Sequence, residues 1–332
     1  VNALLELRDV SVRYRLHGPP PATLTAVDGA CLRLDAGEML GLVGESGCGK
    51  SSLGRAILRL VPLAGGEIHW DGRRVDALGA RAFRPLRREL QYIFQDPHAC
   101  LDPRMTIAQS VAEPLRALMP GLDAGQRAGR VARLLAEVGL APELGARYPH
   151  QLSGGQLQRA VIARALVPDP RFVVCDEPVS ALDVSVQGQI VNLLADIRRV
   201  RGLAGLFISH NLAVVARLCE RVMVMYRGRI VETATSAALI AAPLHPYARE
   251  LLDAVPAVDP GERQRTLRRR VAPAPDDHAQ TAAGCAFAAR CPFALARCRS
   301  ERPRLAPAAA GREVACHRAG EWPAGLPPEA QP

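Results

Sequence analysis

The chain has 332 residues, 48% of them apolar but only 4% aromatic, and a formal charge of +9. That length suits one large domain plus a smaller one, with a core built from Leu, Val, Ile and Ala. No apolar run reaches the roughly 18 residues of a membrane span, and arginines not interleaved with aromatics exclude a nucleic-acid stacking platform, so no nucleic-acid partner is expected.

Taken in order, Leu4 to Tyr14 alternates as a first strand, and Pro19-Pro20-Pro21 marks a loop. Glu6, Arg8 and Asp9 put charges where a signal peptide is apolar, which points to the cytosolic side. Ala30 to Asp35 and Met39 to Val43 read as strands, Ser52 to Leu60 as a helix, then Glu67 to Gly72 and Gln91 to Phe94 as strands. From Thr106 to Leu140 the apolar spacing is helical, broken by Pro114 and Pro120. A helix is expected from Gly154 to Leu166, a buried strand from Arg171 to Cys175 and a helix from Ser185 to Arg199. Gly205 to Ser209 is a strand and Leu212 to Cys219 a helix, and a hairpin crosses Arg227-Gly228. Strands alternating with helices give an α/β fold with a mainly parallel sheet. After Pro256 strand signals fade and Pro, Ala and Arg dominate, with an arginine cluster at Arg263, Arg265, Arg268, Arg269 and Arg270. The division is therefore 1–255, with a helical insertion over about 97–165, and 256–332.

Lys50 is the only lysine; the other basic residues that count toward the charge are arginine. It sits in Gly44-Glu45-Ser46-Gly47-Cys48-Gly49-Lys50-Ser51, the P-loop pattern, between an apolar strand and a helix. Glycines let consecutive N–H groups turn toward a nucleotide's phosphates, and the following helix start at Ser52 adds its positive dipole end. A compact ammonium fits such a cradle where a planar guanidinium fork does not. In this pattern the lysine reaches the phosphates of ATP and the Ser51 hydroxyl ligates Mg²⁺. Phe172 to Cys175 is an apolar run ending in two carboxylates, Asp176 and Glu177. Asp176 is the candidate for holding Mg²⁺, and Glu177 for polarising the attacking water.

Leu152-Ser153-Gly154-Gly155-Gln156 opens a helix with two glycines and a hydroxyl. Here the chain resembles the ATP-binding subunits of ABC transporters, whose signature is this pentapeptide, and the resemblance runs over about 4–255 with the motifs in order. It implies a P-loop NTPase fold and ATP hydrolysis. It also implies a head-to-tail pair of ATPases, in which Ser153, Gly154, Gly155 and Gln156 meet ATP held by the partner. Residue by residue, Gln95 matches the Q-loop glutamine that contacts Mg²⁺ or water, and Asp183 the loop that crosses the dimer interface. His210 matches the switch histidine, which positions Glu177, and Tyr14 the aromatic that stacks on adenine. Two departures stand out: Asn211 replaces the family's usual Asp, and Leu157 follows the signature where a basic residue is common.

Three segments resemble the oligopeptide, dipeptide and nickel importers: Gln95 to Met105, His245-Pro246-Tyr247, and the tail cysteines Cys285, Cys291, Cys298 and Cys316. That likeness implies two permease subunits, a second ATP-binding subunit, a substrate-binding protein and a peripheral place on the cytoplasmic face of the membrane. It also allows a [4Fe–4S] cluster on the four tail thiols, with a zinc site or reduced thiols as alternatives, and a tail that does not touch ATP. The other five cysteines, Cys31, Cys48, Cys100, Cys175 and Cys219, are expected as reduced thiols. A competing class is a soluble ABC-type ATPase of DNA repair or translation. Those carry long coiled coils or two ATP sites, and this chain has one motif set and no heptad run.

Overall fold

The computed structural model of the chain describes residues 3–16, 18, 22–254, 283–309, 311–319 and 321. The Pro19 to Pro21 loop, the boundary at Pro256 and the arginine cluster lie outside them.

Two sheets and a set of helices make the architecture. β1 (Leu5–Leu16), β2 (Ala22–Leu34), β4 (Gly65–Trp70) and β5 (Arg73–Arg74) form an antiparallel sheet in the order β2-β1-β4-β5. Its strands follow β3 (Met39–Val43) and α1 (Lys50–Ile57) only partly in sequence, because β3 belongs to the second sheet. That sheet also takes β6 (Leu90–Ile93), β7 (Phe172–Asp176), β8 (Ala204–Ser209), β9 (Arg221–Tyr226) and β10 (Arg229–Thr235). Its centre, β9-β3-β8-β7-β6, is parallel throughout.

Alternation along these central strands divides the core in two. Met39 and Val43 of β3, Val173 and Cys175 of β7, and Phe207 of β8 face the helical side. Leu40, Leu42, Phe172, Val174, Leu206 and Ile208 face α1 and the antiparallel sheet. A parallel strand is buried on both faces and therefore reads as an unbroken apolar run.

The short helices α2 (Ala80–Phe83), α3 (Leu86–Glu89) and α4 (Pro97–Cys100) flank β6. The helical insertion follows as α5 (Ile107–Leu118), α6 (Ala124–Glu137) and α7 (Gly154–Leu166). Capping boxes start α5 at Thr106, α6 at Asp123 and α7 at Ser153. One expectation is corrected here, since α5 runs through Pro114 without ending. Proline removes one helix donor, but Ile107, Val111 and Leu115 bury one face of α5 and hold it regular. Pro120 does lie in a break, between α5 and α6.

Beyond β7 come α8 (Val184–Arg201), α9 (Leu212–Leu218), α10 (Ser236–Ala241), α11 (Pro246–Asp253) and α12 (Ala296–Ser300). The C-terminal segment then adds β11 (Ala306–Ala309) and β12 (Arg312–Val314). These strands extend the large sheet, with Glu232 and Thr233 of β10 opposite Val314 and Glu313. The sequence showed no strand signal there because β12 borrows the open edge of β10 and has little propensity of its own. Beneath it, Arg312 donates to the fully buried Glu232 at 2.8 Å, which also accepts from the backbone N–H groups of Leu244 and His245.

Candidate functional site

The phosphate loop joins β3 to α1 as the motif requires. Gly49 has φ +107°, and a Cβ there would come within 2.0 Å of the Ala26 carbonyl oxygen. A Cβ on Gly44 would meet the Met225 carbonyl oxygen at 2.2 Å. Both glycines are therefore fixed by backbone packed against the loop. Lys50 is 4% exposed and donates from Nζ to the carbonyl oxygens of Gly44 and Glu45, each at 2.8 Å. Its ammonium thus rests on the loop's own carbonyls. Cys48 is buried beside it, and burial raises that thiol's pKa against the opposing pull of Lys50. Ser46 and Gly47 form the exposed tip.

Ser51 Oγ donates to Asp176 Oδ1 at 2.8 Å, and the Tyr92 hydroxyl donates to Oδ2 at 2.6 Å. Asp176 is 2% exposed. Burial, then the adjacent Asp176 charge, push the Tyr92 phenol far above its usual range, so it remains a donor. The sequence reading missed this role. Its signal was a hydroxyl tip inside a short apolar strand, which must find a partner. Ser51 and Asp176 bring a hydroxyl and a carboxylate together, the hard oxygen donors that suit Mg²⁺.

Two further candidates converge on Glu177. Gln95 Nε2 donates to Glu177 Oε2 at 3.3 Å, and His210 Nδ1 lies 3.3 Å from the same oxygen. Glu177 has φ +45°, an uncommon backbone state for a residue with a side chain. Its N–H donates to the Ile208 carbonyl at 3.0 Å, and Ser180 Oγ donates to its carbonyl at 3.0 Å. Strain held in this way turns the carboxylate out of the strand's direction. Tyr14 instead meets the first turn of α1, where its hydroxyl donates to Ser52 Oγ at 3.2 Å.

The signature segment makes hydrogen bonds within itself. Ser153 Oγ accepts from the Gln156 N–H at 3.4 Å, and Gln156 Oε1 accepts from the Ser153 N–H at 3.0 Å. Gly154 leaves room for a side chain, whereas a Cβ on Gly155 would meet Val186 at 2.7 Å. Asp183 precedes α8 without a capping bond from its side chain. The two departures have local reasons. Asn211 caps α9 by accepting from the N–H groups of Ala213 and Val214, as Asp also does. Leu157 is fully buried in the core.

In the C-terminal segment, Cys285, Cys291, Cys298 and Cys316 line one cavity of about 20 Å³, with Phe287 and His317 beside them. Burial raises the pKa of Cys285 and Cys316, and that of Cys291 to about 11. Among the described residues no group of three or more His, Cys, Asp or Glu is placed to hold a metal ion. The donor chemistry suits thiolate ligation, but as placed the sulfurs do not form a ligand set, so the iron–sulfur expectation is not supported by the geometry. The tail is expected not to touch ATP, and the structure adds that it does reach the phosphate loop. Arg290 donates to both carboxylate oxygens of Glu45 in the phosphate loop, at 3.1 and 3.0 Å. Sequence reading missed Arg290 and the Tyr247 contact with the same loop residue.

Comparison with known proteins accords with this geometry. The ABC transporter family matches residues 27–180, and the C-terminal region of oligopeptide/dipeptide transporters matches 231–298. The oligopeptide transport ATP-binding protein OppF of Escherichia coli is 46% identical over 311 residues, covering 92% of this chain and 93% of that protein. A putative peptide import ATP-binding protein of Brucella ovis is 47% identical over 316 residues, covering 95% of this chain and 98% of its own. Among solved structures, a dimeric bacterial ABC transporter cassette superposes with a TM-score of 0.64 at 28% identity. It covers 70% of this chain and 98% of the cassette. The same cassette in a post-hydrolysis state bound to ADP and Pi gives 0.64 at 27% identity. No helix among the described residues is long and apolar enough to cross a membrane.

Proposed function

This chain belongs to the ATP-binding subunits of ABC transporters, and from that premise we propose that it hydrolyses ATP to drive import of peptides through a membrane complex. The Escherichia coli and Brucella ovis relatives are an oligopeptide transport and a putative peptide import ATP-binding protein, which favours this reading over a DNA-repair or translation ATPase. The observation that carries the site assignment is the meeting of Gln95 and His210 on the one carboxylate of Glu177, next to the Ser51–Asp176 bond.

In this reading the backbone N–H groups of residues 44–51 bind the phosphates, with Tyr14 against the adenine. Lys50 leaves its two resting carbonyls for the more strongly charged phosphate oxygens. Ser51 and Asp176, with Gln95, would hold Mg²⁺, which supplies charge neutralisation at the phosphates. Glu177 accepts a hydrogen bond from the attacking water and aims its oxygen at the γ-phosphorus. The bond to the β-phosphate oxygen breaks as the new P–O bond forms, leaving ADP and phosphate. His210 and Gln95 hold the Glu177 carboxylate in place. Ser153, Gly154, Gly155, Gln156 and Asp183 act on ATP bound to the partner ATPase, which their purely local hydrogen bonding leaves them free to do.

The proposal extends to two permeases, a second ATP-binding subunit of different sequence, a substrate-binding protein and a peripheral place on the cytoplasmic face of the membrane. It takes 1–255 as the ATP-binding part and 256–332 as an importer-type extension. The four tail thiols share a single cavity but form no metal ligand set as placed, so a bound centre is not part of the proposal. No step of hydrolysis runs through it. The test of the main reading is uptake of a labelled oligopeptide by vesicles holding the whole transporter. ATP-driven uptake that Lys50→Ala abolishes is expected. Uptake indifferent to that change, or failure of the chain to co-purify with membrane subunits, rejects it.

A further inference from the structure

The phosphate loop is gripped from outside at its second residue. Arg290 reaches both oxygens of the Glu45 carboxylate, 245 positions earlier in the chain, and also contacts Glu250. Two parallel N–H···O bonds give this pair a fixed geometry. Independently, the Glu45 backbone N–H donates to the hydroxyl of Tyr247 at 2.8 Å. The Glu45 carbonyl is one of the two oxygens on which Lys50 rests. One peptide segment therefore carries Tyr247 on its N–H, Lys50 on its carbonyl and Arg290 on its side chain.

The gripping residues are themselves well founded. Tyr247 is fully buried and Phe287 is 2% exposed. Their rings, with Tyr226, lie 4.5 to 5.6 Å apart between centroids. The Arg290 guanidinium stands 5.8 Å from the Tyr226 ring and 5.6 Å from that of Phe287, within cation–π range. Phe287 and Arg290 lie between Cys285 and Cys291, so the thiol-lined cavity and the phosphate loop share one short stretch of chain.

A carboxylate next to a phosphate cradle repels an incoming polyanion, and a guanidinium bound to both its oxygens cancels most of that field. We propose that Arg290 and Tyr247 are positioning residues for nucleotide binding. Arg290 neutralises Glu45 and Tyr247 fixes its backbone, so the C-terminal segment sets the loop's affinity for ATP. The proposal rests on the assignment of residues 44–51 to ATP.

The experiment is calorimetric titration of Mg-ATP into the full chain at low ionic strength. Arg290→Ala is expected to raise the Kd roughly fivefold, the scale of a half-exposed ion pair. In the assembled transporter the same change raises KM for ATP and leaves kcat at saturating ATP alone. Adding Glu45→Gln to Arg290→Ala removes the stranded charge and brings the Kd back, whereas a contact that merely staples the segment in place gives no such rescue. Glu45→Gln alone tightens binding, and this arm stands even where Arg290→Ala does not fold. An unchanged Kd in Arg290→Ala, no rescue in the double variant, or weaker binding by Glu45→Gln overturns the proposal. A wild-type chain that binds no ATP overturns the site assignment itself, a separable result.

Discussion

Ser51 and Asp176, 125 residues apart, share a hydrogen bond of 2.8 Å that ties the start of α1 to the end of β7. The other oxygen of Asp176 takes the Tyr92 hydroxyl. A carboxylate 2% exposed is thus held by two neutral donors. Removing one leaves a charged acceptor buried and short of a partner. Tyr92→Phe is expected to lower the stability of the nucleotide-free chain by about 1–3 kcal/mol. The loss should shrink when Mg-ATP is added, since a cation at Asp176 replaces the missing donor. Denaturant unfolding with and without Mg-ATP measures both, and equal losses in the two conditions would reject this account.

Glu177 receives Gln95 and His210, so its carboxylate is aimed as well as present. Glu177→Gln keeps the shape and removes the base. Turnover in the assembled transporter should fall roughly 10²-fold or more with ATP binding intact. His210→Ala should lower turnover less steeply, because it frees the carboxylate without deleting it. Single-turnover hydrolysis and ATP titration on the same preparations separate the two effects. Near-normal turnover in Glu177→Gln assigns the water to another residue.

What the sequence disclosed here was chemistry confined to short segments. The loop around Lys50, the pair Asp176-Glu177 and the Ser153 helix start each carry their own geometry, and strands such as β3 and β7 are buried on both faces and read as plain apolar runs. Long-range pairings left no such trace. Arg290 sits in an Ala-rich stretch that gives no hint of Glu45, and β12 forms because β10 offers an edge. Pro114 misled for the same reason: local propensity favoured a break, and packing of Ile107, Val111 and Leu115 outweighed it.

Ser153 caps α7 with its hydroxyl, and Asp is an equally good cap. Ser153→Asp should therefore preserve the fold and the isolated chain's affinity for ATP. It places a carboxylate where the partner's γ-phosphate is proposed to arrive, so pairing of ATP-bound subunits and transport should fail. Gly155 is a poorer choice for this test, because any side chain there collides with Val186. If Ser153→Asp abolishes ATP binding by the isolated chain, the signature segment serves its own site instead.

His245 is 1% exposed, and burial lowers its pKa from 6.5 to about 3. Its Nδ1 accepts from the Tyr247 N–H and caps α11, a role open only to the neutral ring. A histidine with a depressed folded-state pKa gives stability that is present above its unfolded value and lost as pH falls. Between pH 6.5 and about 3 this residue should cost about 1.4 kcal/mol per pH unit, or about 2 kcal/mol by pH 5. The folded chain keeps this ring neutral across the window, so the hold of Tyr247 on Glu45 persists while global stability falls. Urea unfolding from pH 7 downward gives the slope, and His245→Asn, which retains a capping acceptor, should flatten it by one proton. An unchanged slope in that variant assigns the acid sensitivity elsewhere.

The last prediction concerns the four thiols around one cavity. Thiolate ligation of a cluster would require the sulfurs to draw together from the positions described and to lose their protons, against burial that favours the thiol. A bound centre would have to offset those costs by closing the C-terminal segment, as metals do in domains without a core of their own. Metal and sulfide analysis of protein purified without oxygen tests this: iron and sulfide in about equal amounts, both lost in Cys285→Ser, would overturn the reading of the geometry. One zinc per chain replaces the cluster with the alternative site, and no metal leaves reduced thiols. The consequence for ATP is specific to this chain, because Phe287 and Arg290 lie between two of the cysteines. Where a centre is found, removing it should raise the Kd for ATP in the wild-type chain but not in Arg290→Ala, where the link to Glu45 is already cut. Equal changes in both would show that the cavity and the phosphate loop are not coupled through Arg290.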